Sequence, residues 1–159
     1  MRARFEADGD VIVVTGGANG IGRALACAAA QTGARVVVCD VDDAAMAALS
    51  DVSGISTRRL DVSDRAEVFA VLGEVERQFG KIDGLVCAAA IQPRSPVHEM
   101  EAAAWERVLR TNLHGVVWCY QAVVAGMNRG GSAACHADFR DVGFLRGSAI
   151  VTSPWPRSP

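Results

Sequence analysis

The sequence predicts an α/β protein: a doubly wound parallel sheet in three α-β-α layers, truncated after about the fifth strand. Three observations lead there. Short apolar runs alternate with helical stretches, the pattern of successive β-α-β units. The first strand-like run ends in a glycine-dense turn that opens directly into a helical stretch. Half of the 159 residues are apolar and only 21% are charged, a globular composition with enough material for a sizeable core.

Taken in order, residues 10–15 form a buried-strand run that ends in the glycine turn. Residues 20–32 carry Ile21, Leu25, Ala28 and Ala29 on one helical face and close at Gly33. A second strand covers 34–39 and ends at Asp40, followed by a short Ala-rich helix over 42–49 with acidic residues in its first turn. Residues 57–60 read as a third strand ending at Asp61. Ser63 is the expected N-cap of a helix over 64–79, which has Val68, Val71, Leu72 and Val75 on one face. Gly80 and Lys81 turn into a fourth strand over 82–87. After a loop with Pro93 and Pro96, helical sequence runs from about 99 to 127. The spacing of Val116, Val117, Tyr120, Val123, Val124 and Met127 there reads as core or subunit contact. Residues 128–146 are Gly-rich and without clear period, 147–152 read as the fifth strand, and three prolines crowd the last seven residues. The expected division is a dinucleotide-binding domain over 1–127, with 128–159 completing the same domain as an irregular segment, the fifth strand and a Pro-rich end.

Composition excludes several classes. A formal charge of -2 offers no basic field for nucleic acid or an anionic membrane. No run of eighteen apolar residues exists, and the first ten residues lack the apolar core of a signal peptide. The five cysteines, Cys27, Cys39, Cys87, Cys119 and Cys135, form no CxxC pair, so no metal site is expected. They read as reduced thiols of a cytoplasmic protein.

The most informative stretch runs from Thr15 through Gly16, Gly17, Ala18, Asn19, Gly20 and Ile21 to Gly22. A pyrophosphate is drawn to the unpaired N–H groups and positive dipole end of a starting helix. Side chains must be absent for it to approach, which selects glycine. This Thr-Gly-x-x-x-Gly-x-Gly pattern resembles the cofactor fingerprint of the short-chain dehydrogenases/reductases, a family with a Rossmann-type fold. The resemblance extends from about residue 11 to 127. Leu60, Asp61 and Val62 look like the family's adenine contact, residues 80–86 like its entry into the fourth strand, and Asn112 within Thr111–His114 and Gly115 like its Asn-containing helix motif. The resemblance implies an oxidoreductase that moves a hydride between a nicotinamide and an alcohol or carbonyl substrate. It implies a cofactor site of Thr15, Gly16, Asn19, Gly20, Ile21, Gly22, Asp40, Asp61, Val62, Cys87, Ala88 and Ala89. Cys87 to Ala90 stand where the family commonly has Asn-Asn-Ala-Gly.

Asp40 ends the second strand eighteen residues beyond Gly22, near the spacing of an acidic ribose ligand. Its carboxylate would accept from ribose hydroxyls and repel a 2′-phosphate, so NAD is expected over NADP. Catalysis is another matter. The family uses a Tyr, with a Lys four residues later, to move the proton on the substrate oxygen. This sequence has Tyr120, followed four residues on by Val124, and a single lysine, Lys81, before the fourth strand. No Tyr-x-x-x-Lys pair can be drawn. Asn112 matches the family's relay position, and Ser153 lies near the end of the expected fifth strand, where the family places its Ser. The chain is therefore expected to bind NAD(H) and to be inactive alone. The alternatives are a non-catalytic NAD(H)-binding partner subunit, docking through its exposed long helix, or an unstable fragment; a homo-oligomer would form through the same helix, Thr111 to Met127.

Overall fold

The structure, a computed structural model, describes residues 7–130, 133–138 and 148–153. Its elements are β1 (Val11–Thr15), α1 (Gly20–Gln31), β2 (Arg35–Asp40), α2 (Asp43–Ala47), β3 (Ile55–Arg59), α3 (Arg65–Phe79), β4 (Gly84–Cys87), α4 (Ala102–Leu109), α5 (Gly115–Gly130), β5 (Ala133–Asp138) and β6 (Ser148–Ser153). A 3-10 turn precedes α4, and a π-helical segment, Arg110–His114, joins α4 to α5. The strands form one sheet in the order β3-β2-β1-β4-β5-β6.

Strand β2 shows why the sheet is buried on both sides. Val36, Val37, Val38 and Cys39 are all at most 1% exposed. Val36 and Val38 pack with Val14, Ala26, Met46 and Leu49, beneath α1 and α2. Val37 and Cys39 pack with Val13, Leu85, Leu72, Val75 and Val123, beneath α3 and α5. The period-2 alternation of side chains thus divides one continuous β-branched run between two cores, as a sheet with helices on both faces requires. This is the expected three-layer fold.

The ends of the elements carry the differences from expectation. Asp64, not Ser63, caps α3: its carboxylate accepts from the N–H groups of Ala66 at 2.8 Å and Glu67 at 3.1 Å. Ser63 gives its own N–H to Asp61 Oδ1 at 2.8 Å. Asp42 caps α2 in the same way, accepting from Ala45 N at 2.9 Å. The helical sequence expected over 99–127 is helical from Ala102 to Gly130, and within it the backbone widens at the π segment. Beyond it, Gly115 lies so close to the loop after β3 that an added Cβ would stand 2.8 Å from Val62 O.

The last strands differ most. The place beside β4 is taken by β5, which lies in the stretch expected to be irregular and pairs parallel with β4 from Gly84–Ala134 to Cys87–Ala137. The stretch expected as the fifth strand forms instead as β6, the sixth, antiparallel to β5. Chain length accounts for the direction. Nine residues separate β5 from β6, whereas a parallel return needs a crossover of roughly a dozen or more. The Pro-rich end lies outside the described residues.

The topology also fixes where a crevice must be. From β1 the chain moves outward through β2 to β3, then returns to place β4 on the other side of β1. Beyond the carboxyl ends of β1 and β4 the flanking connections therefore diverge, leaving a cleft at the switch point. The opposite edge is closed by charge: Lys81 Nζ lies 2.9 Å from Asp83 Oδ2, and that carboxylate accepts from Val11 N at 2.8 Å.

Candidate functional site

The cleft at the switch point has a volume of about 630 Å³. Its floor is the turn between β1 and α1. Gly16 has φ +66°, and a Cβ placed on it would stand 2.5 Å from Ala89 Cα and 2.7 Å from the carbonyl carbon of Ala88. Gly22 is restricted differently: a Cβ there would run into Gly16 O, one turn below. The two glycines let the turn, the first helical turn and the strand-end segment 88–89 lie against one another. Gly16 N–H is anchored on Cys39 O at 2.8 Å, and Ala88 N–H on Thr15 O at 3.0 Å.

The start of α1 is open to an anion. Its N-cap residue, Asn19, makes no side-chain cap bond, and the first turn contains no acidic residue. The Asn19 amide instead donates to Asp42 Oδ2 at 3.2 Å. Gly20, with φ +54°, has nothing within 4 Å of an added Cβ. Unpaired N–H groups, the positive dipole end and an open approach together fit a pyrophosphate.

Asp40 forms the next wall. One carboxylate oxygen accepts from Val41 N at 2.8 Å and Asp42 N at 3.1 Å, the other from Ala18 N at 3.0 Å. A carboxylate has about four acceptor positions, so capacity remains for a hydroxyl partner. The strand-end cap and the ligand are thus compatible roles for one side chain. Asp61 is held likewise through Ser63 N, and Leu60 N–H bonds to Asp40 O at 2.9 Å, which ties the two acidic strand ends together.

The opposite wall is Ala88 to Ile91. Asn112, 5% exposed, accepts from Ile91 N and donates to Ile91 O, both at 2.9 Å. Both ends of its amide are engaged by one backbone residue, so the side chain pins this wall in place.

Of the residues expected at the cofactor, Gly16, Asn19, Gly20, Ile21, Gly22, Asp40, Asp61, Val62, Ala88 and Ala89 line the cleft together. Thr15 and Cys87 do not. They are paired in register at the ends of β1 and β4, 1% and 3% exposed, and support the lining from below. Ser153 pairs with Ala133, at the start of β5, so its backbone lies toward the sheet edge opposite the cleft. Lys81 is at that opposite edge too, in its ion pair with Asp83. Tyr120 packs against the core beneath α3 and α5. Sequence reasoning missed Val41, Ser63, Ala90, Ile91, Arg107, Arg110 and Thr111, which also line the cleft. The three-residue spacing of Arg107 and Arg110, one turn ahead of Asn112, was the available signal for the two cations.

The Cys39 thiol, at the end of β2, is buried and does not line the cleft. Burial pushes Cys39 up to about 12, with neighbouring Cys119 adding to the effect, so it stays protonated. Among the described residues no group of His, Cys, Asp and Glu is arranged to hold a metal ion, and no helix is long and apolar enough to cross a membrane.

Comparison with known proteins agrees with this geometry. The family model for short chain dehydrogenase matches residues 10–134. A cis-4-hydroxycyclohexanecarboxylate dehydrogenase of Sinomonas cyclohexanicum is 40% identical over 129 residues, 78% of this chain and 52% of the relative. A short-chain dehydrogenase/reductase, ABA4, of Pyricularia oryzae is 37% identical over 156 residues, covering 91% of this chain and 58% of the relative. A galactitol 2-dehydrogenase of Agrobacterium fabrum is 35% identical over 147 residues, 89% of this chain and 56% of the relative. The chain thus spans about half the length of the curated relatives it matches. With the glycine turn, the acidic strand ends and the Asn112 anchor assembled around one switch-point cleft, and with the family model matched across most of the sequence, the chain belongs to the short-chain dehydrogenase family.

Proposed function

We propose that this chain binds NAD(H), in preference to NADP(H), in the switch-point cleft of an oxidoreductase acting on an alcohol or carbonyl substrate. Family membership implies a nicotinamide cofactor and a small-molecule substrate. The preference for NAD rests on one observation: the Asp40 carboxylate, fixed by three backbone N–H groups, lies at the end of β2 with Asp42 held beside it. An adenosine ribose there would find an acceptor for its hydroxyls, and a 2′-phosphate would meet two carboxylates.

A bound nicotinamide would supply or accept the hydride. The chain's own residues would divide the remaining work. The α1 N-terminus with Gly16, Gly20 and Gly22 would receive the pyrophosphate. Asp40 would hold the ribose, and Asp61 and Val62 the base. Ala88 and Ala89, kept in place by Asn112, would close the far wall. No pair in these 159 residues moves the substrate proton as a Tyr-x-x-x-Lys would. A second reading is an NAD(H)-binding module that does not turn over substrate by itself. The apolar residues Val117 and Val124, both nearly half exposed on α5, support assembly through that helix. A cytoplasmic location, suited to its buried thiols, completes the proposal.

The test is parallel titration with NADH and NADPH, following energy transfer from Trp105 and Trp118 to the nicotinamide. Saturable NADH binding at least about tenfold tighter than NADPH is expected, a difference of about 1.4 kcal/mol. Asp40→Ala should shrink that ratio. Equal affinities in the unaltered chain would remove Asp40 as the discriminator, and steady oxidation of an alcohol by the chain alone would overturn the reading without turnover.

A further inference from the structure

We propose that Arg110 is a base-binding residue of the cofactor cleft, its guanidinium forming a flat cationic face against which the adenine stacks. The proposal deepens the reading of the cleft as a dinucleotide site and rests on it.

Three observations carry it. Arg110 lines the cleft, together with Leu60, Asp61, Val62 and Ser63. Its Nε donates to Ser63 O at 2.8 Å, so the guanidinium is tied to the backbone that follows the proposed base contacts. Its other side lies over the indole of Trp118, with the guanidinium carbon 5.8 Å from the ring centroid. A long side chain at a surface helix normally samples many rotamers, and ordering one costs entropy. Here a hydrogen bond and a cation–π contact hold Arg110 in one orientation before a ligand arrives.

The chemistry suits adenine. A guanidinium is planar, weakly hydrated and able to stack on aromatic faces, and Arg planes are a recurrent surface for nucleobases. With Nε committed to Ser63, the terminal nitrogens remain for the cleft. The wall from Asp40 to Ser63 is continuous, since Leu60 N–H bonds to Asp40 O and Ser63 N–H to Asp61 Oδ1. A base beside Val62 would therefore meet apolar side chain on one flank and the Arg110 plane on another. Lysine would not replace it, because a compact ammonium keeps the charge but has neither the plane nor the Nε donor.

The experiment compares NADH with reduced nicotinamide mononucleotide, which lacks the adenosine, on the unaltered chain, Arg110→Ala and Arg110→Lys. Folding of each variant is checked by thermal unfolding. Arg110→Ala is expected to weaken NADH about three- to fivefold, within the range of an exposed cation–π contact, and to leave the mononucleotide unchanged. Arg110→Lys should resemble Ala, and decides the matter if Ala does not fold. An NADH affinity within twofold of the unaltered chain, or equal weakening of both ligands, would overturn the role of Arg110 while leaving the cleft reading intact. Failure of the unaltered chain to bind NADH would remove the cleft reading and the Arg110 proposal together.

Discussion

Replacing Gly16 and Gly20 separately with alanine tests why the turn is built of glycine. Both residues have positive φ, +66° and +54°, so both variants bear the left-handed penalty of about 1–2 kcal/mol. They differ in surroundings. At Gly16 the new methyl would overlap the backbone of Ala88 and Ala89, groups fixed by β4 and by the bond from Ala88 N to Thr15 O. Backbone cannot turn aside as a side chain can, so overpacking adds about 1–3 kcal/mol. At Gly20 the methyl would project into open space.

Gly16→Ala should therefore lose roughly 2–5 kcal/mol in total, which for a domain of this size lowers Tm by roughly 5–15 °C. Gly20→Ala should lose about 1–2 kcal/mol and only a few degrees. Binding should follow a different order. The open space at Gly20 is where a pyrophosphate would approach, so Gly20→Ala should weaken NADH at least about tenfold while remaining folded. Thermal unfolding and NADH titration of both variants give the two axes. Equal Tm losses would refute the argument that contact with segment 88–89 selects glycine at 16. Unimpaired NADH binding by Gly20→Ala would refute the placement of the pyrophosphate.

Other perturbations probe separate links. Asn112→Ala would remove the two part-buried hydrogen bonds to the Ile91 backbone, for a loss of about 1–3 kcal/mol; NADH should also bind more weakly as the wall at 88–91 loosens, and urea unfolding with titration checks both. Cys39 is held at about 12 in the fold, against an ordinary value of 9.0. Its contribution to stability is full below pH 9 and is lost as pH rises toward 12, by about 1.4 kcal/mol per pH unit. The difference in urea stability between the unaltered chain and Cys39→Ala at pH 8 and pH 10 should reveal that slope, and a pH-independent difference would contradict it. Asp83→Ala removes the partner of both Lys81 and Val11 N, at the sheet edge away from the cleft. It should cost about 1–3 kcal/mol and leave the NADH-to-NADPH ratio unchanged, as paired titrations would show.

Much of this architecture was legible because the physics behind it is local. A run such as Val36 to Val38 can be satisfied only by burial on both faces, and a glycine-dense turn between strand and helix has few other uses. Asp40 was readable as a strand end because the apolar run of β2 stops there, whereas β3 spans Ile55–Arg59 and ends two residues before Asp61. The capping exchange between Ser63 and Asp64 was not readable, since either residue type satisfies the rule, and the choice depends on Asp61 claiming the Ser63 N–H. The π segment at Arg110–His114 widens a helix whose apolar spacing continues across it, and the close approach of Gly115 to Val62 is a tertiary fact. β5 was missed because Ala133, Ala134 and Ala137 carry little apolar signal, and its pairing with β4 comes through long-range backbone bonds. Arg107 and Arg110 were not singled out, since it is the fold that brings their segment across the cleft.

The two edges of the sheet show how one chemistry serves stability at one end and recognition at the other. At the amino edge Asp83 accepts Val11 N and holds Lys81, so its charge is satisfied within the chain. At the carboxyl edge Asp40 and Asp61 also bind backbone N–H groups, but among the described residues no cation is paired with either. The difference follows from strand polarity. Carboxyl ends lead into helix N-termini, whose dipoles favour negative charge, so acidic side chains there need no paired cation. They are left able to accept from a neutral hydroxyl or amino group while repelling added phosphate. The same helix ends favour an anion where the side chains are glycine. Glycine at 16, 20 and 22 and carboxylate at 40 and 61 therefore give the two ends of the cleft opposite character toward a phosphate, and the proposed preference for NAD over NADP rests on that contrast.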